Sequence, residues 1–189
     1  CTAAAQWSAG VPPRAAKPTV SVNLSPREFR GRSLPAVVAQ ALAEAGLDGA
    51  QLQVELAESS LALPAAGHDD RAVIEALRAM GVKIALDGFG SASLTLLRRL
   101  PVDCVKIDGE FVRRAPADKL DALVVSAVAS VGRRLGLRVV ASGVETEEQL
   151  VLIKKHRCHE VQGYLLGEPV NADRFGAWLA QSPVRRKSR

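Results

Sequence analysis

Short β-branched runs alternate strictly with helical patterns along this chain, and six such strand-then-helix units can be counted. A strand that returns through a helix is led into parallel pairing, because a parallel neighbour is reached only by a crossover. The runs are Thr19–Leu24, Leu52–Leu56, Lys83–Leu86, Cys104–Ile107, Arg138–Ala141 and His159–Val161. A polar residue stands at or just past the end of each: Asn23, Glu55, Asp87, Lys106 with Asp108, Glu145, and Gln162. When parallel strands curl into a barrel their carboxyl ends open onto one mouth, where the sites of this architecture lie. The set reads as an oxygen-rich pocket for a divalent cation and a phosphate-bearing ligand.

Helix boundaries are marked by familiar signals. Ser25-Pro26 supplies an N-cap followed by Pro at the first helical position, and the pattern runs with breaks to Ala45-Gly46. Further helices are predicted near 70–80, closed by Gly81, and over 93–99, 118–135, 146–155 and 171–180. The 118–135 helix is expected to stop across Gly132 to Gly136, Thr146 with Gln149 makes a capping box, and Asn171 is the natural N-cap of the last helix. Glu75-Ala76-Leu77 lies inside a stretch where Val73, Ile74, Leu77 and Met80 recur at helical spacing, so Glu75 is read as a solvent-facing helix residue.

At 189 residues the chain suffices for one domain with a real core, yet it is shorter than a full eight-unit barrel of about 250 residues. Of its residues 48% are apolar, but no uninterrupted run is long enough to span a bilayer. Three unpaired cysteines and the lack of a secretory signal favour a cytoplasmic compartment, including that of a membrane-bound signalling protein. With no initiator Met, the chain is expected to start inside a longer protein. The net charge of +5 is concentrated partly in Arg185–Arg189, and 183–189 is read as a disordered basic tail after a domain spanning 1–182. Without aromatic interleaving such a tail does not call for a nucleic-acid polymer as partner.

Six motifs then stand in order: Ser21-Val22-Asn23-Leu24-Ser25, Glu55-Leu56-Ala57-Glu58-Ser59, Leu86-Asp87-Gly88-Phe89-Gly90, Val105-Lys106-Ile107-Asp108, Ala141-Ser142-Gly143-Val144-Glu145-Thr146 and Gln162-Gly163-Tyr164. Together they resemble the EAL-domain family, the bacterial cyclic di-GMP phosphodiesterases. The resemblance implies a TIM-like α/β barrel of the EAL type, with about six β/α units present here and the early strands missing. It implies a pocket that binds cyclic di-GMP and, in active members, opens one phosphodiester bond to give pGpG with Mg2+ or Mn2+. Carried over by position, Asn23, Glu55 and Asp87 look like metal ligands, Glu58 like the carboxylate that steadies the loop after Asp87, and Lys106 and Glu145 like vestigial catalytic positions. Asn23, Lys106, Asp108 and Gln162 then line the ligand. The resemblance also implies an upstream GGDEF or sensor domain and a homodimer or protein partner.

Four departures count against hydrolysis. The strand that carries the Glu-Ala-Leu signature is not found, and the second acid of the third-strand pair is Gly88. The segment Gly90–Leu94 is shorter than the family's loop, and Ser142 stands where a catalytic-site Glu is expected. A hydroxyl neither neutralises a cation nor accepts a proton near neutral pH, and loss of a general base costs about two to four orders of magnitude in rate. The chain is thus expected to be a degenerate module of cyclic di-GMP signalling: a non-hydrolysing receptor, with residual phosphodiesterase activity and a ligand-free scaffold as alternatives.

Simpler readings stand beside these. Asn23 suits a turn, Asp108 suits a cap on the following turn, and Lys106 is served equally by pocket chemistry or by a structural salt bridge to a carboxylate such as Asp87. His156, Cys158 and His159 lack the second ligand pair of a zinc site. Trp7 and Trp178 read as packing anchors near the chain ends.

Overall fold

The computed structural model describes residues 1–9, 17–31, 33–61, 69–90 and 94–181. The basic stretch 183–189, the boundary expected at 182, residues 91–93 and most of the Ala/Pro-rich segment before Pro18 lie outside the described residues. Six parallel strands form one sheet in chain order: β1 (Val20–Leu24), β2 (Leu52–Ala57), β3 (Lys83–Phe89), β4 (Cys104–Ile107), β5 (Arg138–Ala141) and β6 (Glu160–Val161). Ten α-helices accompany them among the described residues: α1 (Thr2–Ala9), α2 (Pro26–Phe29), α3 (Leu34–Ala45), α4 (Glu58–Leu61), α5 (Asp70–Ala79), α6 (Leu94–Arg99), α7 (Gly109–Arg114), α8 (Lys119–Arg134), α9 (Glu147–Lys155) and α10 (Ala172–Gln181). The sheet is a half-barrel of strands with helices packed on its outer side.

Local chemistry accounts for the element ends. Ser25 caps α2 in a full capping box with Glu28, and Thr146 does the same for α9 with Gln149. Gly46, left-handed at φ 61°, ends α3, and Asn171 caps the start of α10 by accepting from the Arg174 N–H at 2.9 Å. Glu75 is exposed and pairs with Arg71 at 2.7 Å, so its neighbouring Ala and Leu belong to an amphipathic helix. Trp7 donates to the Ala172 carbonyl at 3.1 Å and meets Phe175 edge-on at 4.7 Å, which ties α1 to α10.

The helix stop expected across Gly132 to Gly136 falls within that span, at Arg134 with Leu135 as the C-cap. Gly132 is a buried residue inside α8, and the left-handed residue beyond the helix is Gly136. A Cβ at 132 would lie 2.5 Å from Val139 Cγ2 and 3.3 Å from Val105 Cγ2, so its glycine lets α8 seat directly on β4 and β5.

The two faces of the sheet differ in kind, because side chains alternate along each strand. The row Leu24, Leu56, Leu86, Val105, Val139 runs in register across five strands and joins the main apolar core under the helices. The opposite row, Asn23, Glu55, Ala85, Cys104, Arg138, is largely polar. Among the described residues, Ala85, Cys104 and Val140 form the one buried apolar cluster on that inner face, separate from the main core. The sheet is thus glued to its helices by one face, and the other is left for chemistry.

Crowding Gly132 tests the seating of α8. Gly132→Val is expected to lower stability by about 1–3 kcal/mol, seen as a lower urea midpoint. Leu123→Ala, at an exposed position of the same helix, should move it by less than about 0.5 kcal/mol.

Candidate functional site

Three of the strand-end residues meet. Lys106 of β4 reaches across the inner face to Glu55 of β2, Nζ to Oε2 at 2.5 Å, and lies 3.8 Å from Asp87 Oδ1 of β3. The side chains of Lys106 and Glu55 are 7% and 6% exposed, whereas that of Asp87 is 36% exposed. The ammonium therefore sits between one buried and one half-open carboxylate, and its nearer partner is Glu55 rather than the Asp87 that strand order suggests. Asn23, exposed on β1, stands in register beside Glu55.

Asp87 owes its aim to an irregularity in β3. Leu86 pairs with Val105 and Phe89 with Ile107, so three steps on β3 face two on β4, a bulge with Gly88 left-handed at φ 68°. Such a bulge re-aims side chains next to it. It returns Phe89 to the apolar core and leaves positions 87 and 88 toward the mouth, where a Cβ on Gly88 would meet only Asp108 Oδ2, at 3.8 Å, among the described residues.

The surrounding loops are pinned by hydrogen bonds. Glu58, buried at the start of α4, accepts from the Gly90 N–H at 3.3 Å, holding the chain as it leaves β3. Arg30 donates to the Ser60 carbonyl at 3.0 Å and lies 3.7 Å from Asp70, which ties down the helix that carries Glu58. Asp108 caps α7 by accepting from the Glu110 N–H at 2.8 Å. Gln162 is fixed by its backbone, donating to the Ala141 carbonyl at 2.9 Å and accepting from the Val144 N–H at 3.0 Å. The side chains of Glu145 and Gln162 are exposed on the rim, apart from the Lys106 cluster. Ser142 lies beside Gly109, and its Oγ is buried with no hydrogen-bond partner among the described residues.

A second polar layer, not among the strand-end residues, lies deeper on the same face. Arg138 donates to Gln53 and lies 3.4 Å from Glu160, while Gln53 donates to Ser21 at 2.9 Å. Burial pushes the Cys104 thiol up, with Arg138 beside it pulling the other way. Alternation was the available signal: Gln53 and Glu55 stand two apart on β2 and share a face. At the β5–β6 crossing, His159 Nδ1 accepts from the Val139 N–H at 2.9 Å, and burial pushes Cys158 up to about 11.

The donor types, two carboxylates and an amide, suit a hard cation. Their arrangement does not, since an ammonium lies between the two carboxylates. Among the described residues no three His, Cys, Asp or Glu side chains converge on a point where a metal ion is held.

Comparison with known proteins places this geometry. The model of the EAL domain matches residues 1–169. The chain belongs to the EAL-domain family. It is 40% identical over 167 residues to the oxygen sensor protein DosP of Escherichia coli, and 39% identical over 163 to the bifunctional diguanylate cyclase/cyclic di-GMP phosphodiesterase MucR of Pseudomonas aeruginosa. These alignments cover 86% and 85% of the chain but 20% and 24% of the relatives, so it spans under a quarter of their length. Its fold follows the MucR phosphodiesterase in complex with c-di-GMP (TM-score 0.84, 37% identity, 93% of this chain and 70% of that one). It also follows the EAL domain of Mycobacterium smegmatis DcpA (0.88, 31%, 98% and 82%). A third likeness is to Klebsiella pneumoniae BlrP1 in a manganese/cy-diGMP complex (0.76, 30%, 87% and 41%), so divalent metal occurs with the ligand in the family. No helix among the described residues is long and apolar enough to cross a membrane.

Removing one partner of the buried pair leaves the other charged and unpaired. Lys106→Met is expected to cost about 3–5 kcal/mol, and Glu55→Leu/Lys106→Met to recover most of it, both read from urea unfolding.

Proposed function

We propose that this EAL domain is a non-hydrolysing cyclic di-GMP receptor, a regulatory module of bacterial signalling. The observation that carries the reading is the ion pair itself. Lys106 is already countered by Glu55 and Asp87, while Gly88 and Ser142 stand where the family motifs have acids. A water at this mouth has no spare carboxylate beside Lys106 to accept its proton, so the site is suited to holding a phosphodiester and unsuited to cleaving it.

Binding then rests on neutral donors. Asn23 and Gln162 carry amide N–H groups on opposite sides of the mouth, and Ser142 Oγ is a buried hydroxyl free to donate. The half-barrel fixes these groups on strand ends before the ligand arrives, which limits the ordering cost of binding. Mild positive charge on the whole chain favours approach of a dianionic ligand. A diguanylate cyclase on the same polypeptide, as the name of MucR records, fits a module that responds to the cyclase product.

Residual phosphodiesterase activity is the second reading. It is favoured by the survival of Asn23, Glu55, Asp87 and Lys106 and by the activity named for MucR. Calorimetry with cyclic di-GMP, run once with magnesium and once with a chelator, separates the two. The receptor reading predicts equal saturable heats in both and no pGpG on chromatography after prolonged incubation. Heat confined to the magnesium run together with a pGpG peak would favour the enzyme.

A further inference from the structure

We propose that the Lys106 ammonium is itself the resident cation of this mouth, standing in for a divalent ion between Glu55 and Asp87. Both carboxylates lie within 4 Å of Nζ, one at 2.5 Å and the other at 3.8 Å. An ammonium offers three donors and a compact point charge, which satisfies carboxylate oxygens from different strands without the regular shell of oxygens that magnesium demands.

Charge bookkeeping points the same way. Glu55 and Asp87 carry two negative charges, and Lys106 returns one positive. A divalent ion added beside Lys106 would leave the cluster with one net positive charge, largely out of water, which is unfavourable without a further partner. The neighbouring acids are engaged elsewhere or turned outward. Glu58 holds the Gly90 N–H, Asp108 caps α7 through Oδ1, and Glu145 is exposed. The residues that would have supplied extra negative charge are Gly88 and Ser142. With those two acids absent, the lysine alone offsets half of the cluster's negative charge and leaves one net negative charge beside the half-open Asp87.

The consequence is a site whose carboxylates are held in place without metal. Its link to ligand binding rests on the receptor reading above, and the lysine's exclusion of metal is tested without ligand. The full chain and its Lys106→Met variant are titrated with Mn2+ alone, bound ion being counted from loss of the free-ion paramagnetic resonance signal and melting followed in parallel. The wild type is expected to leave Mn2+ free into the millimolar range with an unchanged melting temperature. The variant is expected to take up Mn2+ at least about tenfold more tightly than the wild type and to melt higher when it does. Saturable micromolar uptake by the wild type would overturn the inference, as would a folded variant that gains no affinity. If Lys106→Met fails to fold, the wild-type titration still decides, with Glu55→Gln in the same chain as a control expected to take up no Mn2+. Failure of cyclic di-GMP to bind the wild type would count against the receptor reading and leave the Mn2+ result standing.

Discussion

A lysine buried on the concave face of a parallel sheet needs a counter-charge within a few ångströms, and much of this structure is arranged around that requirement. Lys106 finds it in Glu55, two strands away, and in Asp87 between them. An unpaired ammonium on so buried a side chain would be costly. The pair therefore fixes how β2, β3 and β4 present their inner faces at the mouth. It also removes two carboxylates and one cation from the pool of groups free to do chemistry.

The division between the sheet's faces makes such a pair tolerable. The helix-covered side holds the aliphatic rows that drive folding, with side chains such as Ile84, Leu86, Val105 and Ile107 fully out of water. The inner side has few apolar residues and carries two polar layers, Lys106 with its carboxylates and, below them, Arg138 with Gln53 and Glu160. Stability and function are thereby assigned to opposite faces of the same strands. The Asp87–Gly88 bulge is where the two demands meet, since Phe89 must return to the core while Asp87 stays toward the mouth.

Much of this was legible in the sequence because strand ends and helix caps are local. The spans Cys104–Ile107 and Arg138–Ala141, and the capping box at Thr146, are found where periodicity and turn chemistry put them. Six motifs in order carried the family, which the match over residues 1–169 shows. Less local features escaped. The helices Glu58–Leu61 and Gly109–Arg114 are too short for a periodic signal, and one of them is set by the Asp108 cap. The nearer partner of Lys106 is Glu55, since register across three strands, which no single strand encodes, decides which carboxylate it reaches. The packing role of Gly132 was not legible, because it depends on Val139 and Val105, residues brought to it by the fold.

The central claim is that cyclic di-GMP is held at the carboxyl ends of these strands with Lys106 still bound to its carboxylates. Amide chemical-shift mapping of the isotope-labelled chain, titrated with cyclic di-GMP in the presence of a chelator, tests it most directly. The account predicts saturable shifts confined to the amides around Asn23, Asp87 to Gly90, Asp108, Ser142 to Glu145 and Gln162. Shifts centred on the outer helices, or none from a folded chain, would contradict it.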